Sequence, residues 1–344
     1  MDILENAWRM QGGLSEEVMA GVPWPSVAAE RPQALLARCP AAAMTPLMVL
    51  DGFGATVWAK DERGRMGLGS FKALGAAYVI AYEAEAAGAE DMGRALSGRT
   101  YVTASAGNHG MSVAAGARVF GAKAVVYLAE TVPEGFAQRL RDKGAEVVRA
   151  GAEYEASMAA AERAAEENGW TLLSDSSWPG YLDIPHRLME GYLAMAAEAV
   201  EQCPETPTHI YLQAGVGGLA GACAAYFRSC WGGAPRITVV EPAAAPALME
   251  SIRAGRAVVS EGPVSNMGRL DCKAPSLIAL KGLARDADAF VTVSDAEAEG
   301  VLAELEAQGM ATTPSGAAGI AAVKEMNPGA EARVLTIISE EAEG

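Results

Sequence analysis

From residue 56 onwards, short runs of β-branched and apolar residues alternate with longer stretches of helical pattern. The alternation predicts strands at 56–60, 101–103, 124–128, 146–149 and 171–174, and helices at 108–120, 133–143 and 154–168. Strands that alternate with helices in this way favour a parallel sheet whose two faces are covered by those helices. The chain is therefore predicted to be an α/β protein.

The same alternation resumes in the second half of the chain. It predicts strands at 209–212, 237–240, 290–293 and 334–339, with helices at 218–230 and 296–308. In the helix predicted at 296–308, Val301 and Leu305 stand four residues apart on one face, and Gly309 is suited to end it.

The predicted strands fall into two groups. Four closely spaced strands lie between about residues 85 and 190, and the others lie before and after them. We therefore expect two open, doubly wound, mostly parallel sheets, with a small α/β domain (85–190) inserted in a large domain (1–84 and 191–344). Ligands of such sheets bind at the carboxyl ends of the strands, which places the expected site in the cleft between the domains.

Charge and cysteine content narrow the function classes. The 344 residues include 27 Lys and Arg and 43 Asp and Glu, for a formal net charge of −16. Such a chain repels phosphate backbones and anionic lipids, so neither nucleic acid nor a membrane is an expected partner. Five Cys without a CxxC pair, and only three His, argue against a disulfide framework and a metal site. The acidic N-terminus lacks a signal-peptide pattern, so we expect a cytoplasmic protein.

A first candidate loop, residues 67–75 (Gly-Leu-Gly-Ser-Phe-Lys-Ala-Leu-Gly), precedes an Ala-rich helix. It places Lys72 among small and apolar residues. Burial disfavours the ammonium form, which would lower the pKa of the amine and make it a nucleophile for carbonyl groups. The alternative is an ordinary solvated lysine near a helix start.

A second loop, residues 103–110 (Thr-Ala-Ser-Ala-Gly-Asn-His-Gly), joins a predicted strand to a predicted helix. Its small residues let backbone N–H groups approach an anion at the helix N-terminus. Asn108 offers both a donor and an acceptor, although it could equally serve as the helix N-cap.

A third loop, residues 213–221 (Gln-Ala-Gly-Val-Gly-Gly-Leu-Ala-Gly), follows the strand at 209–212. A strand, a glycine-rich loop and a helix form a cradle for phosphate, because glycines admit the anion close to backbone N–H groups. The dinucleotide pattern GxGxxG is met only loosely, since Ala220 holds the third glycine position. The loop thus indicates a phosphate site and only weakly a dinucleotide.

The order of these three loops, with Ser339 at the last strand, resembles the fold-type II pyridoxal-phosphate enzymes of the tryptophan synthase β superfamily. The resemblance runs from Thr45 to Ser339. Within the superfamily, the chain is most similar to the diaminopropionate ammonia-lyase family. The similar segments are 59–62, 67–75, 175–181 (Asp-Ser-Ser-Trp-Pro-Gly-Tyr), 184–185, 189–192 (Met-Glu-Gly-Tyr), 213–218 and 267–272.

This resemblance implies a role for each loop around a pyridoxal 5′-phosphate cofactor. Lys72 would hold the cofactor as a Schiff base, and Asn108 would bind its 3′-oxygen. Its phosphate would be held by the backbone N–H groups of Gly215, Val216, Gly217 and Gly218. Ser339 would face the pyridine nitrogen, where a neutral hydroxyl leaves that nitrogen largely unprotonated. The substrate loop would comprise Ser105, Ala106, Gly107 and His109, with Lys72 and Asp175 as candidate catalytic bases.

One position departs from the family pattern. The family loop reads Thr-Asp-Gly-Asn-His-Gly, and its Asp handles the D-substrate, whereas this chain has Ala106 there. A methyl group cannot abstract a proton, so we expect elimination from the D-isomer to be lost or very weak. Lys273, where the family tends to have a small residue, would favour a substrate with an additional anionic group if it faced the cleft.

The expected reaction is β-elimination from 2,3-diaminopropionate or a related β-substituted L-amino acid. It would yield pyruvate and ammonia, or the analogous 2-oxo acid. A threonine, serine or 3-hydroxyaspartate dehydratase, or a β-replacement synthase, would keep the cofactor with a different leaving group or acceptor. A regulatory binder that has kept the fold is the non-enzymatic alternative, and Lys72 argues against it. The resemblance also implies a homodimer.

Overall fold

A computed structural model describes residues 1–342, and within that range the strands form one sheet of seven strands and one of four. The strands are β1 (Ile3–Glu5), β2 (Leu47–Leu50), β3 (Thr56–Asp61), β4 (Thr100–Ala104), β5 (Lys123–Leu128), β6 (Glu146–Arg149), β7 (Thr171–Leu172), β8 (His209–Gln213), β9 (Arg236–Pro242), β10 (Ala289–Val293) and β11 (Arg333–Ile338).

Helices follow most of these strands, as the alternating pattern predicts. They are α1 (Glu30–Leu36), α2 (Lys72–Ala86), α3 (Asn108–Val119), α4 (Glu134–Asp142), α5 (Tyr154–Asn168), α6 (Asp183–Gly191), α7 (Leu193–Gln202), α8 (Gly218–Trp231), α9 (Ala247–Ala254), α10 (Leu277–Asp286), α11 (Asp295–Glu299), α12 (Leu302–Ala307) and α13 (Pro314–Met326). Within residues 1–342, no helix has both the length and the apolar character needed to cross a membrane.

The larger sheet has the strand order β1-β10-β9-β8-β11-β3-β2. Its inner pairs are parallel, whereas β1 and β2 pair antiparallel at the two edges. The smaller sheet, β6-β5-β4-β7, is parallel throughout. The predicted fold class of two mostly parallel sheets is therefore confirmed.

All four strands of the smaller sheet lie within the segment 85–190 that the sequence assigns to an inserted domain. The predicted boundaries at 84/85 and 190/191 fall inside helices α2 and α6. The division into two domains stays a prediction, and these two helices are the elements that would join the parts.

Side chains alternate across the central strands of the larger sheet. In β11, Val334 and Ile338 belong to one buried apolar cluster, whereas Leu335 and Ile337 belong to another. Successive side chains of a strand point to opposite faces, so both faces of this strand are covered. Burial on both faces explains why the central strands are apolar runs without a polar side.

The helix predicted at 296–308 is wrong in one respect, because the structure divides it into α11 and α12 around Gly300 and Val301. Glycine inside a helix loses backbone freedom without gaining side-chain packing, so it is a weak point in the pattern. The predicted apolar face is nevertheless buried, since Val301 and Leu305 are both buried.

Candidate active site

The three candidate loops and the end of β11 meet at the carboxyl ends of parallel strands. Lys72 is the first residue of α2, and Asn108 is the first residue of α3. Residues 215–218 connect β8 to α8, and Ser339 directly follows β11. Asp175 follows β7 in the smaller sheet. The structure thus gathers residues from across the chain into one region, as the parallel topology requires.

Lys72 and Asp175 form the central contact of this region. The Lys72 ammonium donates to a carboxylate oxygen of Asp175, and each side chain is only about one-fifth exposed. Burial raises the pKa of Asp175, but the adjacent Lys72 charge outweighs it and holds that pKa well below its usual range. Burial likewise lowers the pKa of Lys72, and the Asp175 charge reverses this, so the net pKa is raised. The expectation of a depressed lysine pKa is therefore wrong while this pair is intact.

The loop that carries Asp175 is shaped by the rest of the segment 175–181. Gly180 has a φ of +87°, a conformation that other residues rarely adopt, and this lets Trp178 and Tyr181 pair through their backbones. Their rings stack at 4.4 Å. The Tyr181 hydroxyl donates to the carbonyl of Leu172 at 2.9 Å and accepts from the N–H of Ser174 at 3.0 Å. The segment therefore ties the loop back to β7, just before Asp175.

Lys72 is positioned by unusually close packing of α2 against α6. A Cβ placed on Gly191 would lie 2.3 Å from the main-chain oxygen of Leu74, and one placed on Gly75 would lie 2.8 Å from the Tyr192 ring. These two positions therefore require glycine. The N–H of Phe71 also donates to the carbonyl of Ser339 at 3.1 Å, which links the lysine loop to the end of β11.

The glycine-rich loop has the features of an anion cradle. Gly217 is the N-cap of α8 and has a φ of +98°. Within residues 1–342, the N–H groups of Gly215, Gly217 and Gly218 donate to no carbonyl or side chain. Unpaired N–H groups at a helix N-terminus favour a phosphate. The Gly215–Gly218 segment therefore fits the phosphate-binding role that the resemblance implies.

Asn108 does not cap its helix, since Gly107 holds the N-cap position without a side-chain bond. Its amide Nδ2 donates instead to Oε2 of Glu340 at 2.5 Å. Glu340 is buried and follows directly after Ser339, which is itself buried. Glu340 is not among the site residues predicted from the sequence, although it directly follows Ser339.

The substrate loop folds tightly over the start of α3. A Cβ on Gly110 would lie 2.2 Å from the carbonyl oxygen of Ser105, so only glycine fits there. His109 is buried, and its Nε2 donates to the carbonyl of Leu173 at 2.8 Å. Burial lowers the pKa of His109, which keeps the ring neutral near pH 7. Ala106 is half-buried against the apolar core, and Gly107 has no side chain to obstruct the loop.

Lys273 and Glu241 both have partners within the protein. The Lys273 ammonium donates to the carboxylate of Asp271 at 2.6 Å and to the carbonyls of Ala244 and Pro263 at 2.7 and 2.9 Å. Its three donors are therefore satisfied, and the expectation of a substrate-facing cation is not supported. Glu241 accepts from two N–H groups at the start of α9, so it caps that helix.

The sequence of the chain matches the family model for pyridoxal-phosphate dependent enzymes over residues 39–340. The chain belongs to this family. The family match and the relatives' structures indicate that the cofactor is pyridoxal phosphate. Lys72 is suited to hold it covalently, and residues 215–218 are suited to hold its phosphate.

Individual enzymes of the family are similar to this chain in sequence and in structure. The diaminopropionate ammonia-lyase of Salmonella typhimurium is 34% identical over 290 residues, which cover 75% of this chain and 70% of that protein. Structures of the diaminopropionate ammonia-lyase of Escherichia coli, in complex with D-serine and with an aminoacrylate-PLP azomethine reaction intermediate, give TM-scores of 0.88 and 0.86. They are 27% and 28% identical and cover 99% of this chain and 93% of those chains. The L-threonine ammonia-lyase of Thermotoga maritima is 28% identical over 258 residues, 74% of this chain and 59% of that protein.

Proposed function

We propose that the chain is an ammonia-lyase that eliminates the β-amino group of 2,3-diaminopropionate or of a closely related β-substituted L-amino acid. The contact between Lys72 and Asp175 carries this proposal, because a carboxylate lies beside the lysine that is proposed to hold the cofactor. Similarity to diaminopropionate ammonia-lyases over three-quarters of the chain supports the same substrate class.

Pyridoxal phosphate, when bound, supplies the electron sink that stabilises negative charge at the substrate Cα. Asp175 is the proposed base that accepts the Cα proton of the L-substrate. Its low pKa depends on the neighbouring Lys72 ammonium. Once that ammonium moves away, burial becomes the dominant influence and raises the pKa of Asp175, which strengthens it as a base.

Lys72 has two proposed tasks, holding the cofactor and moving a proton once the substrate has displaced it. His109 is neutral, and its Nε2–H is committed to Leu173, so its Nδ1 can only accept a hydrogen bond. A neutral acceptor suits a substrate amine better than a carboxylate. The backbone N–H groups of the 105–107 segment are the proposed carboxylate partners instead.

The substrate assay compares the release of pyruvate from L- and D-diaminopropionate and from L-serine. It also follows 2-oxo acid release from L-threonine and 3-hydroxyaspartate. We expect L-diaminopropionate to be turned over fastest. Asp175→Asn should lose about 10²-fold or more of that rate while the visible band of the lysine-bound cofactor persists. Asp183→Asn, an exposed aspartate eight residues further on, is the matched control and should keep its rate.

The D-isomer provides a separate test of Ala106. Ala106→Asp restores a carboxylate to the substrate loop, so we expect this variant to gain elimination from D-diaminopropionate. Strong turnover of the D-isomer by the unaltered chain would show that our interpretation of Ala106 is wrong.

A threonine or serine dehydratase is the second candidate, and similarity to the L-threonine ammonia-lyase of Thermotoga maritima favours it specifically. Rapid release of 2-oxobutyrate from L-threonine, with no ammonia from L-diaminopropionate, would select this candidate. Loss of all activity in Lys72→Ala is expected for either one.

The resemblance further supports a cytoplasmic homodimer built from a large domain (1–84 and 191–344) and a small domain (85–190). Light scattering coupled to size exclusion tests the assembly, with twice the 35.5 kDa chain mass as the expected result. A monomer of full activity would contradict the dimer proposal.

A further inference from the structure

Asn108 and Glu340 form a hydrogen bond between the two sheets of the molecule. Asn108 begins α3, which follows a strand of the smaller sheet, whereas Glu340 follows β11 at the centre of the larger one. Nδ2 of Asn108 lies 2.5 Å from Oε2 of Glu340, across 232 residues of sequence. The bond therefore joins the start of α3 to the end of β11, next to Ser339, whose carbonyl accepts from the N–H of Phe71 beside Lys72.

The Glu340 carboxylate is itself held from the side of the larger sheet. Its Oε1 accepts from the hydroxyl of Thr313, the N-cap of α13, and lies 3.5 Å from Nε of Arg269. The residue is only 3% exposed. A hydroxyl donor, an arginine and a helix N-terminus all favour the charged form of a carboxylate. Glu340 is therefore a fixed, negatively charged acceptor.

A carboxylate only accepts hydrogen bonds, so it dictates which way the Asn108 amide is turned. An amide oxygen in place of Nδ2 would face the carboxylate and be repelled. With one N–H committed to Glu340, the second N–H of Nδ2 stays a donor, and within residues 1–342 no other acceptor engages it.

We propose that Glu340 is a positioning residue for the cofactor: it locks the Asn108 amide so that a donor is presented to the ring 3′-oxygen. That oxygen carries negative charge when the cofactor is bound to a lysine, so a donor stabilises it and an acceptor would not. Glu340 acts through Asn108 and leaves the identity of the substrate unaffected.

The experiment measures pyridoxal-phosphate affinity and the absorbance spectrum of the full chain, so it is independent of the substrate proposed above. We expect Glu340→Ala to weaken cofactor binding about tenfold, the size of one charge-assisted hydrogen bond. It should also change the ratio of the absorbance bands of the lysine-bound cofactor. Glu340→Gln keeps a carbonyl acceptor and should recover part of both effects. Glu341→Ala, the exposed neighbour, is the matched control.

A double-variant cycle separates positioning from general stability. Because Glu340 acts through Asn108, the double variant Asn108→Ala/Glu340→Ala should bind the cofactor no more weakly than Asn108→Ala alone. Additive losses, or an unchanged spectrum in a folded Glu340→Ala protein, would overturn the proposal. Tighter binding in Glu340→Ala would also overturn it, since the carboxylate would then be competing with the cofactor for Asn108.

Discussion

Glu198 belongs to a buried cluster of charged side chains. Replacing it tests how much this cluster stabilises the folded protein. The cluster also contains Lys60, Glu62 and Arg65, whose side chains are fully buried, while that of Glu198 is 8% exposed. Oε2 of Glu198 lies 2.7 Å from both Lys60 Nζ and Arg65 Nη2. Two cations and two carboxylates make the cluster neutral, so it is tolerated in the interior only as a set.

Glu198→Gln removes one negative charge and leaves the cluster with a net positive charge inside the protein. Removing one partner of a buried ion pair costs about 3–5 kcal/mol. A glutamine carbonyl in the place of Oε2 can still accept from Lys60 and Arg65, but the amide nitrogen that replaces Oε1 can only donate and so faces the Nη1 donor of Arg65 unfavourably. We therefore expect the free energy of unfolding to fall by about 3 kcal/mol.

The measurement is urea unfolding followed by tryptophan fluorescence, with Glu201→Gln as control. Glu201 lies on the same helix, α7, but is exposed, so its variant should change stability by less than about 0.5 kcal/mol. The double variant Lys60→Met/Glu198→Leu leaves the Arg65–Glu62 pair intact and restores neutrality, so it should regain much of the loss. A loss below about 1 kcal/mol in Glu198→Gln, or fully additive losses in the double variant, would refute the reasoning.

Three further predictions concern the scaffold of the site. Burial raises the pKa of Glu241 to about 8 from its usual 4.5, so the folded state retains a proton that the unfolded state releases between these values. Stability should therefore fall by up to about 1.4 kcal/mol per pH unit as pH rises through this window; Glu241→Gln should remove the slope and Glu261→Gln should not. A side chain at Gly191 would strike a main-chain carbonyl of α2, so Gly191→Ala should lower the melting temperature and weaken cofactor binding. A Cβ at Gly135 would meet no atom within 4 Å, so Gly135→Ala should change neither the melting temperature nor cofactor binding. If both variants changed these properties equally, the packing argument would be wrong. Tyr181→Phe loses the hydroxyl that fixes the loop carrying the site carboxylate, so kcat should fall several-fold with unchanged cofactor affinity; an unaltered kcat would show that the loop holds its shape without it.

Much of the fold is predictable from local pattern, since each strand of a buried parallel sheet is a short apolar run followed by a helix. The edge strands β1 and β2 were not predicted. They are short, and residues such as Val49 are exposed, so neither length nor apolar alternation distinguishes them from loop. The division between α11 and α12 was also missed, because the helical periodicity continues through Gly300.

For the site, contacts between residues far apart in the chain are even harder to predict from local sequence. Lys72, Asn108 and the Gly215–Gly218 loop are predicted site residues because the order of their loops along the chain resembles a known family, and their roles stay predictions. Glu340 is not among them, because a glutamate after a strand has no local signature, and its partner Asn108 is 232 residues away. Charge pairing across the fold also reversed the expected pKa shift of Lys72, since the contact with Asp175 is invisible to local sequence.

The separation of these contacts along the chain has a consequence for how the molecule acquires its cofactor. Lys72 and Asp175 are 103 residues apart, and the phosphate cradle lies further still towards the C-terminus. A partly folded chain with only one sheet formed has no complete site, so cofactor binding selects the fully folded state. Free cofactor at 100 times its Kd would add about 2.7 kcal/mol to the free energy of unfolding. Pyridoxal phosphate is therefore expected to stabilise this chain against unfolding, and the chain without cofactor should unfold at lower denaturant than the loaded chain.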